Sequence, residues 1–198
     1  MKPYYAILAA VALVAAPAVP ALASWKLVEA GAPTAVAKSS LKVTADQAWN
    51  RWSIHPIKKA EIWTLDGTNL NELYFVSGLA AGETLYRDAK KKDQPLPTLG
   101  SSVQLTDIPD FVESSTRVAL NTSVFTMKEV RPTTFAGHAG VRFAYEFAVE
   151  GSPLLRKGLG AGAIVDGKLQ LIVYTAPAVY FFDRDAPKVE AIIASARL

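Results

Sequence analysis

Two histidines are the first candidates for acid–base or nucleophilic chemistry. His55 and His138 are the only imidazoles in the 198 residues. A catalytic triad needs a histidine that is held by an acid and faces a nucleophile, and the spacing around neither residue indicates one. We interpret both as turn residues with local hydrogen bonds. A small hydrolase that uses His138 stays as the alternative function.

A glycine-rich segment, Gly158-Leu159-Gly160-Ala161-Gly162-Ala163, has the spacing of dinucleotide-binding loops. Such a loop works where it follows a buried strand and opens a helix. Here two basic residues precede the segment and a turn, Asp166-Gly167, follows it. The pattern therefore predicts a strand with a bare glycine face that a helix, in particular the last one, approaches closely. We expect no cofactor.

Other matches to catalytic patterns are weaker still. Ser39 and Lys42 have the serine–lysine spacing of penicillin-recognising enzymes, but the Ser-Asp-Asn and Lys-Thr-Gly elements of those enzymes do not occur. Glu146 and Glu150 fit the solvent face of a strand better than a catalytic pair. The chain has no cysteine, which excludes thiol nucleophiles and thiolate metal sites. We assign no catalytic, cofactor-binding or metal-ligating residue.

Eight aromatic residues could line a pocket for an apolar or sugar-like ligand. They fall at core-periodic positions, so we predict instead that they pack in the hydrophobic core. They are Trp49, Trp52, Trp63, Tyr74, Phe75, Tyr180, Phe181 and Phe182.

The first 23 residues predict export. Lys2 is followed by an uncharged apolar stretch, then by prolines and by Ala21-Leu22-Ala23, the small residues that a signal peptidase accepts. We expect a signal peptide over 1–23, cleavage between Ala23 and Ser24, and a periplasmic or secreted protein. An uncleaved anchor is the alternative. Residues 24–198 are long enough for one domain with a sizeable core.

Charge is scattered rather than clustered. The chain has 21 basic and 18 acidic residues, without the basic face that nucleic-acid binders carry, so no nucleic-acid partner is expected. The one dense basic run, Lys90-Lys91-Lys92, lies in a long connection from Gly82 to Thr106 that shows no apolar periodicity. We expect this connection to bury little surface. With Arg87, the run is a candidate partner-binding tip; a passive surface insertion is the alternative.

Helices and strands separate along the sequence. A capping-box pattern at Thr44–Gln47 predicts a helix that ends near Ser53, and a second helix is expected from Asp107. Paired β-prone runs over 61–76, 123–149 and 157–174 predict hairpins, the last through Asp166-Gly167. Asp185 is expected to cap a C-terminal helix. The fold class is α+β, with a mainly antiparallel sheet built from hairpins and covered by helices.

Four segments resemble those of a family of exported bacterial proteins to which no activity is attached. They are 48–52, 63–67, 135–140 and 163–169. The order of elements is also similar to the Mog1/PsbP type of fold. That resemblance implies a binding or assembly factor, so we expect a non-enzymatic protein of the envelope that binds a partner protein or an apolar ligand. No membrane span is expected in the mature chain.

Overall fold

A computed structural model of the chain describes residues 24–89, 92–152 and 154–198. The expected signal peptide, 1–23, therefore lies outside the described residues. The elements are β1 (Trp25–Val28), β2 (Thr34–Ala35), β3 (Lys42–Val43), β4 (Trp49–Trp52), β5 (Ala60–Thr64), β6 (Glu72–Leu79), α1 (Asp107–Leu120), β7 (Val124–Phe135), β8 (His138–Ala148), β9 (Leu155–Val165), β10 (Lys168–Pro177) and α2 (Phe181–Ser195).

An eight-stranded antiparallel sheet dominates the fold. Its strand order is β1-β4-β5-β6-β10-β9-β8-β7, and β2 and β3 form a separate two-stranded ribbon. Most neighbours are hairpins, as the sequence predicts, but β6 pairs with β10 from the far end of the chain. The turn of the last hairpin has positive φ at Asp166 (51°) and Gly167 (71°), which a tight hairpin turn requires.

The two helices lie on opposite faces of the sheet. Ile108, Phe111 and Val112 of α1 join the core on one face, which we call the α1 face. Val189 and Ile192 of α2 join the core on the other, the α2 face. The predicted cover by helices is therefore partial, because two helices are too few for eight strands. None of the helices in the described ranges is long and apolar enough to cross a bilayer.

The helix predicted over Thr44–Ser53 is wrong. Trp49–Trp52 is strand β4, which pairs with β1 on one side and β5 on the other. The Thr44 backbone N–H donates instead to Ser195 Oγ, at 2.8 Å, next to the end of α2. The apolar spacing of Trp49 and Trp52 is compatible with either helix or strand. Hydrogen bonding to the neighbouring strands β1 and β5 makes this segment a strand.

Asp185 does not cap the C-terminal helix. The helix begins four residues earlier, at Phe181, and Asp185 is fully buried within it. Its carboxylate contacts Arg184 Nη2 at 2.6 Å and Lys188 Nζ at 2.9 Å. Hydrogen bonds at 3.3–3.4 Å join it to Tyr174 and Asn71, which ties α2 to the sheet.

The long connection is irregular, as predicted, but it buries more than predicted. Leu85 and Leu99 are almost fully buried in the core of the α1 face. Gly82 N–H donates to Leu99 O at 2.8 Å, and Leu99 N–H donates to Glu83 O at 2.9 Å. The base of the connection is therefore anchored, because single leucines can pack into a core without helical or strand periodicity.

Candidate functional site

Four residues form one row across the α1 face of the sheet. Glu72 on β6 pairs with Thr175 on β10, Thr175 pairs with Gly158 on β9, and Gly158 pairs with Tyr145 on β8. Paired residues of neighbouring strands point to the same side of a sheet. The row therefore places a carboxyl, a hydroxyl and a phenol beneath α1, although the four residues span 103 positions of sequence.

The glycine in this row makes room for the phenol ring. A Cβ added to Gly158 would overlap the ring of Tyr145, with Cε1 at 2.7 Å, and one added to Gly160 would lie 2.6 Å from Phe143 Cζ. These aromatic rings of β8 therefore cover the bare glycine face. The prediction that the last helix approaches it is wrong, because α2 packs on the opposite face, against Leu159, Ala161 and Ala163.

A cavity of about 230 Å³ lies above the row. Thr116, Ala119 and Leu120 of α1 form its roof, since positions i, i+3 and i+4 share one helix face. Its lining is rich in aromatic rings. The full lining is Glu72, Tyr74, Tyr86, Thr116, Ala119, Leu120, Tyr145, Phe147, Val173 and Thr175.

The tyrosines of the cavity differ in whether their hydroxyls are paired. Tyr74 donates to Leu85 O at 2.8 Å, and Tyr86 lies 3.1 Å from Thr116 Oγ1. Among the described residues, the hydroxyl of Tyr145 has no hydrogen-bond partner, although Tyr145 is only 1 % exposed. A buried hydroxyl without a partner costs stability. The side chain that carries it also lines the cavity.

The Glu72 carboxyl shares this environment. Burial raises its pKa to about 7, and the positive charge of Arg156 opposes the shift. Within the described ranges, no side chain donates a hydrogen bond to this carboxyl and no cation lies within 4.0 Å of it. Arg156 instead donates from Nη1 to Asn69 O at 3.0 Å. The carboxyl is thus free to pair with a ligand.

Exposed apolar residues surround the same end of the sheet. The cavity lies where β6 and β9 begin and where β8 and β10 end. Leu120 belongs to its roof, and Leu154, Leu155 and Val179 lie in or beside the strand ends at this edge. All four are exposed. A cavity lined mostly by aromatic and apolar surface suits a small, mostly apolar ligand.

A second cavity, of about 360 Å³, lies at the base of the long connection. Two of its four charged side chains are paired with each other: Lys59 Nζ contacts Glu83 Oε2 at 2.6 Å. The backbone N–H of Ala80 also donates to that carboxylate at 2.7 Å. These contacts lower the pKa of Glu83, with the Ala80 hydrogen bond as the largest cause. The cavity under α1 is the stronger candidate, because aromatic rings line it and no described side chain pairs with its Glu72 carboxyl.

The eight predicted core aromatics divide between core and surface. Trp49, Trp63 and Phe75 are fully buried in the core of the α2 face, and Tyr74 is the one that lines the cavity. Tyr180 is 64 % exposed. The core interpretation is right for the buried members and wrong for Tyr180.

The residues weighed for catalysis do not come together. His138 is exposed at the start of β8, and no other described side chain hydrogen bonds to it. His55 Nδ1 lies 2.8 Å from Ala60 O, a local contact. Glu146 contacts Lys128 at 2.9 Å, and Glu150 accepts a hydrogen bond from Asn121 at 2.5 Å. The hydrolase alternative gains no support from this geometry.

The predicted basic tip is only partly described. Arg87 and Lys92 are exposed, while Lys90 and Lys91 lie outside the described residues. A partner-binding role for these four residues stays a prediction.

Sequence reasoning missed Glu72, Tyr86 and Tyr145 as site residues. Glu72 starts a strand of otherwise apolar residues on the same face, Tyr74 and Val76, and a carboxyl at such a position is a signal for a half-buried acid. In the sequence, Tyr145 is one of several apolar residues that alternate along a strand, and nothing distinguishes it from the others. Its role depends on Gly158, which only the pairing of β8 with β9 places beside it.

Comparison with known proteins supports the fold. No family model matches the chain and no curated protein matches it. Among solved structures, the chain is similar to cyanobacterial PsbP (CyanoP) from Synechocystis sp. PCC 6803, with a TM-score of 0.52 and 11 % identity over 93 % of this chain and 98 % of that one. It is more distantly similar to LpqN, involved in cell envelope biogenesis of Mycobacterium tuberculosis, with a TM-score of 0.36 and 9 % identity over 87 % and 89 %. The resemblance to the PsbP type of fold is thereby confirmed.

Proposed function

We propose that this chain is an exported, non-enzymatic protein of the envelope space that binds a small, mostly apolar ligand in the cavity under α1. The observation that carries the proposal is the buried Tyr145 hydroxyl, which has no partner among the described residues and belongs to a side chain that lines that cavity. Native structures pair most buried hydroxyls, and a ligand would supply the missing partner. The Glu72 carboxyl adds a second polar contact.

Binding rather than catalysis fits the groups that face the cavity. Two paired tyrosines, two threonines, one carboxyl and one free phenol line it. Within the described part of the chain, none of the hydroxyls is in hydrogen-bond contact with Glu72, whereas a hydroxyl nucleophile needs an adjacent base. Few polar groups among apolar ones orient a ligand instead. Export stays part of the proposal because of residues 1–23.

Benzyl alcohol tests this proposal, because it has an apolar ring and one hydroxyl. We expect its titration into the mature protein to shift backbone NMR signals of 72–74, 116–120, 145–147 and 173–175. Ala119→Trp should abolish these shifts, because the indole fills the cavity roof. The matched control is Ala194→Trp, an exposed alanine of α2 on the other face, which should leave them unchanged. Shifts scattered over the surface, or shifts that survive Ala119→Trp, contradict the proposal.

A further inference from the structure

The lining of the cavity under α1 combines aromatic rings with a single carboxyl. Tyr74, Tyr86, Tyr145 and Phe147 contribute four rings, and Glu72 contributes the only charged side chain. The rings form two neighbouring pairs: Tyr74 and Tyr86 have centroids 5.5 Å apart, and Tyr145 and Phe147 have centroids 5.9 Å apart. The cavity therefore presents π-electron density and one carboxyl, and its lining holds no basic side chain.

Such a lining selects by charge as well as by shape. Aromatic rings attract cations through the negative potential of their faces, and protein cages of several rings bind methylated ammonium groups. A carboxylate beside the rings adds Coulomb attraction for a cation. A neutral apolar ligand would leave the Glu72 carboxyl without a partner, at a cost.

We propose that the ligand of this cavity is a small organic ammonium ion, held by the Glu72 carboxylate and the four aromatic rings. The inference rests on the proposed function and names the class of ligand. Tyr145 supplies the second recognition point, because its unpaired hydroxyl can accept from an ammonium N–H or pair with a hydroxyl of the ligand.

Arg156 does not cancel the charge of this carboxyl. It is absent from the cavity lining, and it donates to Asn69 O in the β5–β6 loop. Burial lowers the pKa of Arg156, but a guanidinium stays charged at neutral pH. Its charge favours an ionised Glu72, and it forms no ion pair with that carboxyl within 4.0 Å among the described residues.

Titration of the groups around the cavity agrees with this assignment. Burial raises the pKa of Glu72 to about 7, so a bound cation would restore the ionised form and lower that pKa. Burial also raises the pKa of Tyr86 to about 12, and the pKa values of Tyr74 and Tyr145 lie well above the ordinary value. The tyrosines therefore stay neutral, and affinity for the cation should fall as the pH drops below about 7.

Three probes of similar shape but different charge test the inference: choline, the neutral 3,3-dimethyl-1-butanol and the anionic 3,3-dimethylbutanoate. Calorimetric titration of the mature protein at about pH 8 should give choline an affinity at least ~10-fold above that of the alcohol, and the anion the weakest. Glu72→Gln should reduce choline binding ~10-fold or more and leave alcohol binding within about threefold. Glu129→Gln, an exposed glutamate on β7, should change neither.

The outcomes separate this inference from the proposed function. If the alcohol or the anion binds as tightly as choline, or if Glu72→Gln leaves the choline preference intact, the ligand class is wrong while binding in the cavity stands. If none of the three probes binds but benzyl alcohol does, the ligand class is again wrong. If benzyl alcohol also fails to bind, both proposals fail.

Discussion

The ring of Tyr145 lies across the α-carbon of Gly158, its partner on the neighbouring strand. The contact has two consequences. It covers a strand that would otherwise be bare on the α1 face, and it makes the Tyr145 side chain part of the cavity lining. The glycine at 158 therefore leaves room for an aromatic ring, and not for a phosphate or for a closely packed helix.

Gly158→Ala should destabilise the protein and disturb the cavity. The added methyl group overlaps the Tyr145 ring, so the ring or the strand must move, and overpacking of this kind costs ~1–3 kcal/mol. Urea denaturation measures the loss, and Gly100→Ala is the control, because its added Cβ would have no atom within 4 Å. Equal denaturation midpoints for the two variants would show that Tyr145 moves away freely.

Glu72→Gln should stabilise the protein in a pH-dependent way. The folded-state pKa of Glu72 is raised from 4.5 to about 7, so folding favours its protonated form. The contribution of Glu72 to stability is fully present below about pH 4.5 and is lost as the pH rises through about 7. The free energy of unfolding of the variant should therefore exceed that of the wild type by ~1 kcal/mol or more at about pH 8. The two values should be equal below about pH 4.5.

Denaturation midpoints across this pH range measure the effect of Glu72→Gln. Glu129→Gln, whose carboxylate is exposed and paired with Arg131, should give a difference from wild type that does not vary in this way. A parallel pH profile for wild type and Glu72→Gln would mean that the Glu72 carboxyl is solvated in the folded protein.

Asp185→Asn should loosen the attachment of α2. Removal of one charge from a buried group of ion pairs costs ~3 kcal/mol or more at neutral pH, and Asp185 is fully buried against Arg184 and Lys188. The exposed neighbour provides a control: Asp183→Asn removes a contact of 3.3 Å from a side chain that is 70 % exposed, and should stay within ~0.5 kcal/mol. Thermal unfolding compares the two.

The effect of Asp185→Asn should also depend on pH, in the direction opposite to that of Glu72→Gln. Burial raises the pKa of Asp185, but Arg184 and Lys188 lower it by more, and the net direction is downward. A lowered pKa contributes stability above the unfolded-state value of about 4, and that stability is lost as the pH falls through the folded-state value. The difference in stability between wild type and Asp185→Asn should therefore disappear at acidic pH. A gap that is constant down to about pH 2 contradicts the assigned ion pairs.

Processing is expected to leave Ser24 as the first residue of the mature chain. Ala21 and Ala23 occupy the small-residue positions before the cut. The mass of the exported protein, measured intact, checks this directly. A protein that is recovered from the envelope with Met1 still present would instead be held by an uncleaved anchor, and Ala23→Asp would then have no effect on its mass beyond the substitution.

Local sequence determined the parts of the fold that need only local chemistry. Asp166-Gly167 forms a tight turn because both residues tolerate positive φ, and the alternation of Val141, Phe143 and Tyr145 makes β8 a strand with one buried face. The helix from Asp107 and the C-terminal helix were also predictable from apolar spacing. Trp49–Trp52 was not, because its spacing fits either helix or strand and its neighbours β1 and β5 decide the outcome.

Only the tertiary structure decided the site. The row of Glu72, Thr175, Gly158 and Tyr145 exists because β6 pairs with β10, a contact between strands about a hundred residues apart. Neither strand carries a local signal for that partner or for its register, and a shift of one residue would turn Glu72 to the opposite face. The register follows instead from the burial of alternate side chains of the strands in two separate cores, which are built from residues of the whole chain.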